Sequence, residues 1–344
     1  MLPWIHPHLF HSVNPIKGRQ LQASTRIQKG EVLLIDPPYA IIPTPTPATP
    51  VEPTPTPLDI LCSNPQCNRL IQRPTNGLWC PNRCATDVAW CNETCRSADK
   101  PRHAFECIWL AKYSTSLPAK WGEYTFGMLW LIVRILARRY TDGDSQHDIN
   151  PKSASSSFKS GWQAIQSLCG TPETWSHAQT REWTVLVKKY LSGNPSSLPH
   201  GLPNDKILLL ICQEEANSFG LYPRETGIYP LPASSSSETE GRGEQFGAAV
   251  YPRASIANHS CCPNITHKPD KQGCMVFTAS RDILAGEECC ITYFDMAEFV
   301  TVNERREHLQ SLFRFKCGCP RCVEEDRSVP EEISQWDSFG GFEE

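Results

Sequence analysis

The sequence predicts an α+β fold in which small strand-rich sheets are split by a cysteine-rich segment and a helical block, then closed by a second, shorter cysteine run. Three observations lead there. Residues 16–42 and 246–294 carry short β-rich apolar runs broken by glycine turns. Residues 120–216 carry apolar side chains at helical spacing. The chain also holds 17 cysteines in 344 residues, most of them gathered at 62–107 and 317–322.

The elements follow in chain order. Ile16 to Leu21 and Ile27 to Leu34 read as strands, with Lys29-Gly30 turning into the second apolar run. From Pro43 to Pro57 a proline recurs every two or three positions, which excludes helix and central strand. Residues 44–58 are therefore expected to be an extended, semi-rigid tether, with a proline-motif ligand as the lesser alternative. Trp183, Leu186, Val187, Tyr190 and Leu191 fall at three-four spacing, the pattern of one buried helix face. Asn204 or Asp205 is placed to cap a helix through Leu208 and Ile211. Ser153 to Ser157 and Ser234 to Ser237 read as loops. Met275 to Phe277 and Cys289 to Tyr293 read as strands with a turn at Ala285-Gly286-Glu287 between them. Thr301 and Glu304 form a capping box, so a helix should begin there and reach about Leu312. The acidic tail, 327–344, is expected to fray.

Composition narrows the function. Hydrophobic residues make up 40% of the chain, enough for a core, and the length suits one large domain or two ordinary ones. A net charge of −4 makes nucleic acid an unlikely main ligand, because phosphate binding needs concentrated positive charge. The most apolar run, Met128 to Ala137, contains Arg134 and is too short to span a bilayer, so no membrane role is expected. The stretch Met1 to Pro7 has neither the basic nor the apolar region of a secretory leader. The cysteines are thus expected to bind metal in a reducing compartment rather than pair as disulfides. No compelling basic localisation run is present, so residence in nucleus, cytoplasm or both is open.

Residues 62–107 hold eight potential metal ligands in four close pairs: Cys62 and Cys67, Cys80 and Cys84, Cys91 and Cys95, His103 and Cys107. Four pairs suffice for two tetrahedral zinc sites, since two ligands a turn apart fix half a tetrahedron. Spacing alone leaves the pairing of the pairs open. A segment this short has too little apolar mass to fold alone, so the metal should hold it, each structural zinc contributing roughly 10–16 kcal/mol of apparent free energy. The cluster resembles a MYND finger. That resemblance implies interleaving, with Cys62, Cys67, Cys91 and Cys95 in one site and Cys80, Cys84, His103 and Cys107 in the other. It also implies a possible protein partner at the finger, with direct nucleic-acid contact less expected.

Three stretches nearer the C-terminus stand in a fixed order: Asn258-His259-Ser260-Cys261, then Ile291-Thr292-Tyr293, then Cys317, Cys319 and Cys322. With Lys17-Gly18-Arg19 and Asn217-Ser218-Phe219-Gly220 they resemble the SET-domain lysine methyltransferases. A SET domain interrupted by a MYND finger and ending in that cysteine trio is similar to the SMYD-type subfamily, without the long helical C-terminal domain of its larger members. The resemblance divides the chain into an N-terminal SET part (1–43), the linker (44–58), the finger (62–107), a helical SET-I insertion (120–216), a core SET segment with a knot-like centre (217–296), a post-SET zinc segment (297–326) and the tail. It implies S-adenosyl-L-methionine as cofactor, with contacts from Lys17, Gly18, Arg19, Asn217, Asn258, His259, Tyr293, Phe313 and Phe315. Cys261 would join Cys317, Cys319 and Cys322 in a third zinc site, giving three ions per chain.

The implied reaction is in-line methyl transfer to a lysine of a histone or another protein. Tyr293 would orient the neutral amine and contact the polarised methyl hydrogens. Phe219 and Tyr293 would wall a narrow lysine channel, whose low polarity disfavours the ammonium form. The remaining cysteines, 169, 212, 262, 274, 289 and 290, read as small buried apolar residues. Gln20 and Cys262 stand where the family usually has glycine and aspartate. They leave a rival reading, a catalytically weak or inactive zinc scaffold for protein contacts in transcriptional regulation.

Overall fold

Local side chains set the first hairpin. The computed structural model describes residues 3–45, 59–72, 78–142, 158–192, 198, 201–229 and 242–328. The spacer beyond residue 45, the serine loops at 153–157 and 234–237, and the tail beyond 328 lie outside the described residues. After β1 (Trp4–Ile5), strands β2 (Leu9–Asn14) and β3 (Gly18–Ala23) pair antiparallel. Asn14 Oδ1 accepts the N–H of Ile16 and of Lys17, at 2.8 and 3.0 Å, and Gly18 takes φ +75°. A side-chain oxygen and a residue without Cβ are what this turn requires. Next come β4 (Val32–Asp36), β5 (Ala40–Pro43) and a small hairpin of β6 (Asp59–Leu61) with β7 (Leu70–Gln72).

Helical structure starts earlier than the expected residue 120. Helix α1 (Glu93–Tyr113) begins inside the cysteine segment, where Asn92 Oδ1 accepts the Cys95 N–H at 2.8 Å. Helix α2 (Ser116–Asp142) kinks at Gly122 (φ +84°) and is buried without interruption from Phe126 to Ala137. Then follow α3 (Gly161–Gln166), α4 (His177–Leu186) with a π-turn over Val187–Leu191, and α5 (Asn204–Asn217). All five apolar residues of the expected α4 face are buried. The α5 cap differs from expectation. Pro203 holds the N-cap position in extended geometry and Asn204 is already helical, so neither Asn204 nor Asp205 caps.

The last third comprises β8 (Ser218–Leu221), β9 (Gly247–Val250), β10 (Asn258–His259), β11 (Ile265–Pro269), β12 (Met275–Ala279), β13 (Glu288–Ile291), α6 (Val302–Phe313) and α7 (Pro320–Ser328). The capping box on α6 is formed on both sides. The expected strand through Tyr293 stops at Ile291, because Thr292 Oγ1 donates to Phe294 O at 2.8 Å and turns the chain.

Strands from the two ends of the chain alternate in the sheets, whose orders are β1-β4-β12-β11, β10-β13-β3-β2 and β5-β9-β8. Only β10 and β13 pair parallel among the strands described, with Asn258 opposite Cys290 and His259 opposite Ile291. Residues 9–41 and 221–291 therefore share one apolar core, and the helices share another with the cysteine segment. Of the cysteines expected to be buried, 212, 274, 289 and 290 are; Cys169 is exposed and Cys262 half-buried, as both sit beside polar cluster or cavity groups. No helix among the described residues is long and apolar enough to cross a membrane.

Candidate active site

A buried ion pair positions the signature strand. Asp36, at the end of β4, accepts from the Arg253 N–H (2.8 Å), the Ala254 N–H (3.0 Å) and Arg253 Nη1 (3.1 Å). Burial pushes the Asp36 carboxyl up, and Arg253 and the two amides oppose that shift. The clamp fixes a single 3-10 turn, Ala254–Ile256, which delivers Ala257 and Asn258 to the edge of a cavity of ≈ 810 Å³. Nothing in the sequence pattern marked Asp36 or Arg253, because their importance arises only from contact across the fold.

Five separated segments line that cavity. Lys17 and Arg19 come from the first hairpin, Asn217 and Phe219 from the end of α5 and from β8, and Asn258 from β10. Tyr293 follows β13, and Phe313 and Phe315 close the wall after α6. Arg314 between the two phenylalanines is in the left-handed region (φ +61°), so the helix ends there and both rings return to the same side. The Phe313 ring lies 4.8 Å from that of Tyr293. The Tyr293 hydroxyl donates to Ala257 O at 3.0 Å, and burial raises its pKa, so it stays a neutral donor.

Two expected residues stand behind the wall. Gly18 makes the turn without lining the cavity. His259 is buried; its Nδ1 accepts the Tyr293 N–H at 3.1 Å and its Nε2 faces Cys261 Sγ at 3.2 Å. Burial pushes its pKa down to about 3, so the ring stays neutral and Nδ1 keeps its lone pair for the Tyr293 N–H. His259 thus ties the tyrosine to the cysteine cluster. Glu288 was not singled out from the sequence, yet it braces the cavity's polar edge from behind. It pairs with Lys17 Nζ at 2.5 Å and accepts from Asn258 Nδ2 at 2.8 Å. Asn258 Nδ2 also donates to Arg19 O at 3.0 Å, which leaves Oδ1 as the free acceptor of that amide. Gln20, by contrast, turns away from the cavity and donates to Ser12 Oγ at 3.0 Å.

Three cysteine-rich groups bring their ligand atoms within 4.8 Å of one another: Cys62, Cys67, Cys91 and Cys95; Cys80, Cys84, His103 and Cys107; Cys261, Cys317, Cys319 and Cys322. The first two interleave, and Cys261 rather than Cys262 joins the third. Sulfur–sulfur distances of 3.7 Å (Cys67–Cys91), 3.4 Å (Cys91–Cys95), 3.7 Å (Cys80–Cys107) and 3.5 Å (Cys261–Cys322) suit a tetrahedron. Zinc–sulfur bonds of about 2.3 Å put tetrahedral sulfurs ~3.8 Å apart, far beyond a disulfide. The donor set fits zinc. In the second group His103 turns Nε2 toward Cys80 Sγ (3.2 Å) while Nδ1 meets Glu106 Oε1 (3.2 Å). A carboxylate behind a ligating imidazole is the usual way to fix its tautomer and orientation. Burial would raise the Glu106 carboxyl, but Arg102 and Arg134 outweigh it and hold the pKa well below the usual range.

Comparison with known proteins identifies relatives by sequence. A sequence model described as the SET domain matches residues 18–294. A protein of Saccharomyces cerevisiae, "Potential protein lysine methyltransferase SET6", is 37% identical over 135 residues, 39% of this chain and 32% of its own. The human "N-lysine methyltransferase SMYD2" is 24% identical over 324 residues, 91% of this chain and 60% of its own. A SET and MYND domain-containing protein of Dictyostelium discoideum is 24% identical over 343 residues, 92% of this chain and 60% of its own. The chain therefore spans 60% or less of the length of these three relatives.

Proposed function

The chain belongs to the SET-domain family, and from that premise we propose that it is an S-adenosylmethionine-dependent protein-lysine N-methyltransferase, acting on a histone or another protein inside the cell, in nucleus or cytoplasm. One observation carries this reading: residues from five distant segments, each expected at such a site, line the same cavity. Its volume lies in the range of small-molecule and cofactor sites, roughly 300–1,000 Å³. The cofactor's ammonium matches the free Oδ1 of Asn258, and the half-buried rings of Phe313 and Phe315 offer faces for its adenine.

When bound, S-adenosylmethionine supplies a methyl group on a cationic sulfur. The protein's task is alignment and desolvation. Phe219, wedged edge-on against Tyr251 and His267, would form one wall of the lysine channel. The apolar wall lowers the pKa of an entering lysine, so the amine sheds its proton before reaction. The Tyr293 oxygen, fixed by its bond to Ala257 O, would orient the amine lone pair. Lys17, Arg19, Asn217 and Asn258 would hold the cofactor, and Gly18 and His259 would support them from behind. The three clusters would bind zinc, the first two as a MYND finger for a partner protein and the third as a clamp on Phe313 and Phe315. Gln20 and Cys262, which kept the inactive-scaffold reading open, are both absent from the cavity wall.

The test is calorimetry with S-adenosylmethionine followed by transfer of labelled methyl to histones and cell lysate. Tyr293→Phe should lower transfer by about 10²-fold and leave cofactor affinity within about twofold. Undiminished activity would mean that another group does this work.

A further inference from the structure

Part of the same cavity is a recess of α2 and α5 residues that the proposed cofactor contacts leave unused. Glu214 of α5 lines it. This side chain is 3% exposed, and its Oε2 has no hydrogen-bond partner. Burial pushes its carboxyl up to about 8. A buried carboxyl oxygen without a donor is costly, by about 1–3 kcal/mol even when neutral, unless something arrives to satisfy it.

The surroundings indicate what arrives. Glu123 and Glu215 line the same cavity. The hydrogen bonds to Glu215 come from neutral donors, Trp175 Nε1 at 3.1 Å and Gln179 Nε2 at 3.5 Å, with Arg314 acting on it only through space. Met128 and Leu131 of α2 supply an apolar wall, and Tyr124, 67% exposed, stands at the rim. A long aliphatic stem ending in a cation meets every part of this recess: the stem against the apolar wall, the head between carboxylates and over an aromatic face. The planar fork of arginine fits paired carboxylates better than a point charge does.

On the reading that this cavity methylates a protein lysine, we propose that the recess is a subsite for a basic residue of the substrate, held by Glu214 with Glu123 and Glu215. Glu214 lies five residues before the channel residue Phe219, where α5 passes into β8, and both line the cavity. The basic residue is therefore sought within three extended positions, ~10 Å, of the target lysine.

The test uses the full chain, methyl-labelled S-adenosylmethionine and synthetic peptides with one central lysine. Each peptide carries arginine, alanine or glutamate at one position up to three residues away. At one of these positions arginine should raise kcat/KM at least about tenfold over alanine, the size of one charge-assisted hydrogen bond. Glu214→Gln and the Glu214→Gln/Glu215→Gln double variant should bring that ratio toward one; an unchanged ratio overturns the subsite. Should Glu214→Gln unfold the chain, Glu215→Gln at its half-buried position takes its place, with the same drop required. Fluorescence polarisation with the same peptides separates the two readings. Arginine-dependent binding without transfer keeps the subsite and refutes the methyltransferase. Transfer without arginine dependence keeps the methyltransferase and overturns the subsite. Loss of both overturns both.

Discussion

Residues 62–107 and residues 261–322 both gather cysteines, but they are held in different ways. In the first region Val88, Trp90 and Phe105 pack into the same core as Phe126, Trp130 and Leu136 of α2. A buried ionic network ties the two together, with Glu106 accepting from Trp130 Nε1 at 2.9 Å and Arg134 Nε at 3.1 Å, and pairing with Arg102 Nη1 at 2.8 Å. The third cluster sits in a separate core of seven buried residues, and three of those seven are its own cysteines. So the cysteine segment, too short to hold itself by apolar mass alone, shares a core with α2, whereas the C-terminal segment has little core beyond its own cysteines. That segment is also the one that brings Phe313 and Phe315 to the cavity, so zinc there would bear on the proposed chemistry, whereas zinc in the first two clusters, none of whose residues line the cavity, would not.

The comparison breaks most visibly if metal is withdrawn. Parent protein should carry about three zinc ions, one per cluster. Cys319→Ser should lower the count to two and weaken S-adenosylmethionine binding more than about 100-fold, because an unclamped tail gives up the cavity wall. Cys67→Ser should also lose one ion, yet change cofactor affinity less than about threefold. Calorimetry and elemental analysis on both variants decide it; equal losses of affinity would erase the distinction.

A smaller effect sharpens the packing side of the contrast. Glu106→Gln leaves the Arg134 guanidinium buried without its carboxylate, while Arg102 keeps Asp99, and should cost about 3–5 kcal/mol in urea denaturation. A loss under about 1 kcal/mol would mean the ionic network contributes little and the finger relies on metal after all.

Inside the cavity, Glu214 of α5 gives a pH signature. Its folded pKa, about 8, lies above the ordinary carboxyl value, so folding takes up a proton between about pH 4.5 and 8. Its contribution to stability is intact below pH 4.5 and lost as pH rises through 8. Glu214→Gln should match the parent near pH 5 and exceed it by on the order of a few kcal/mol near pH 8.5. Parallel melting curves across that window would refute the burial of this carboxyl.

The smallest effect lies at the start of α6. Removing the capping box by Thr301→Ala should cost about 1 kcal/mol. Beside the third cluster this should appear as easier release of zinc on chelation, and chelator titration of the zinc-loaded variant beside the parent measures it.

Much of this was legible in the chain because it is local. The capping box, the α4 face, the Lys-Gly turns and the close cysteine pairs each depend on residues within a few positions of one another. The misreadings were local as well. A proline took the α5 cap, Thr292 turned the strand short of Tyr293, and Asn92 started a helix inside the cysteine segment. In each case one side chain or ring outbid the general propensity of its neighbours.

By itself, then, the linear order of residues determined the α+β character, the sets of potential metal ligands and the family whose signature it carries. Which cysteine pairs share a site was decided only in three dimensions, as were the burial of Glu106, Asp36 and Glu214, the turning away of Gln20, and the meeting of five segments at one cavity. The reason is physical: spacing along a chain encodes distance only over a turn or two. The charge state, solvation and contacts of a side chain depend on partners that the fold brings from a hundred or more residues away, as the Asp36–Arg253 pair does across 217 positions.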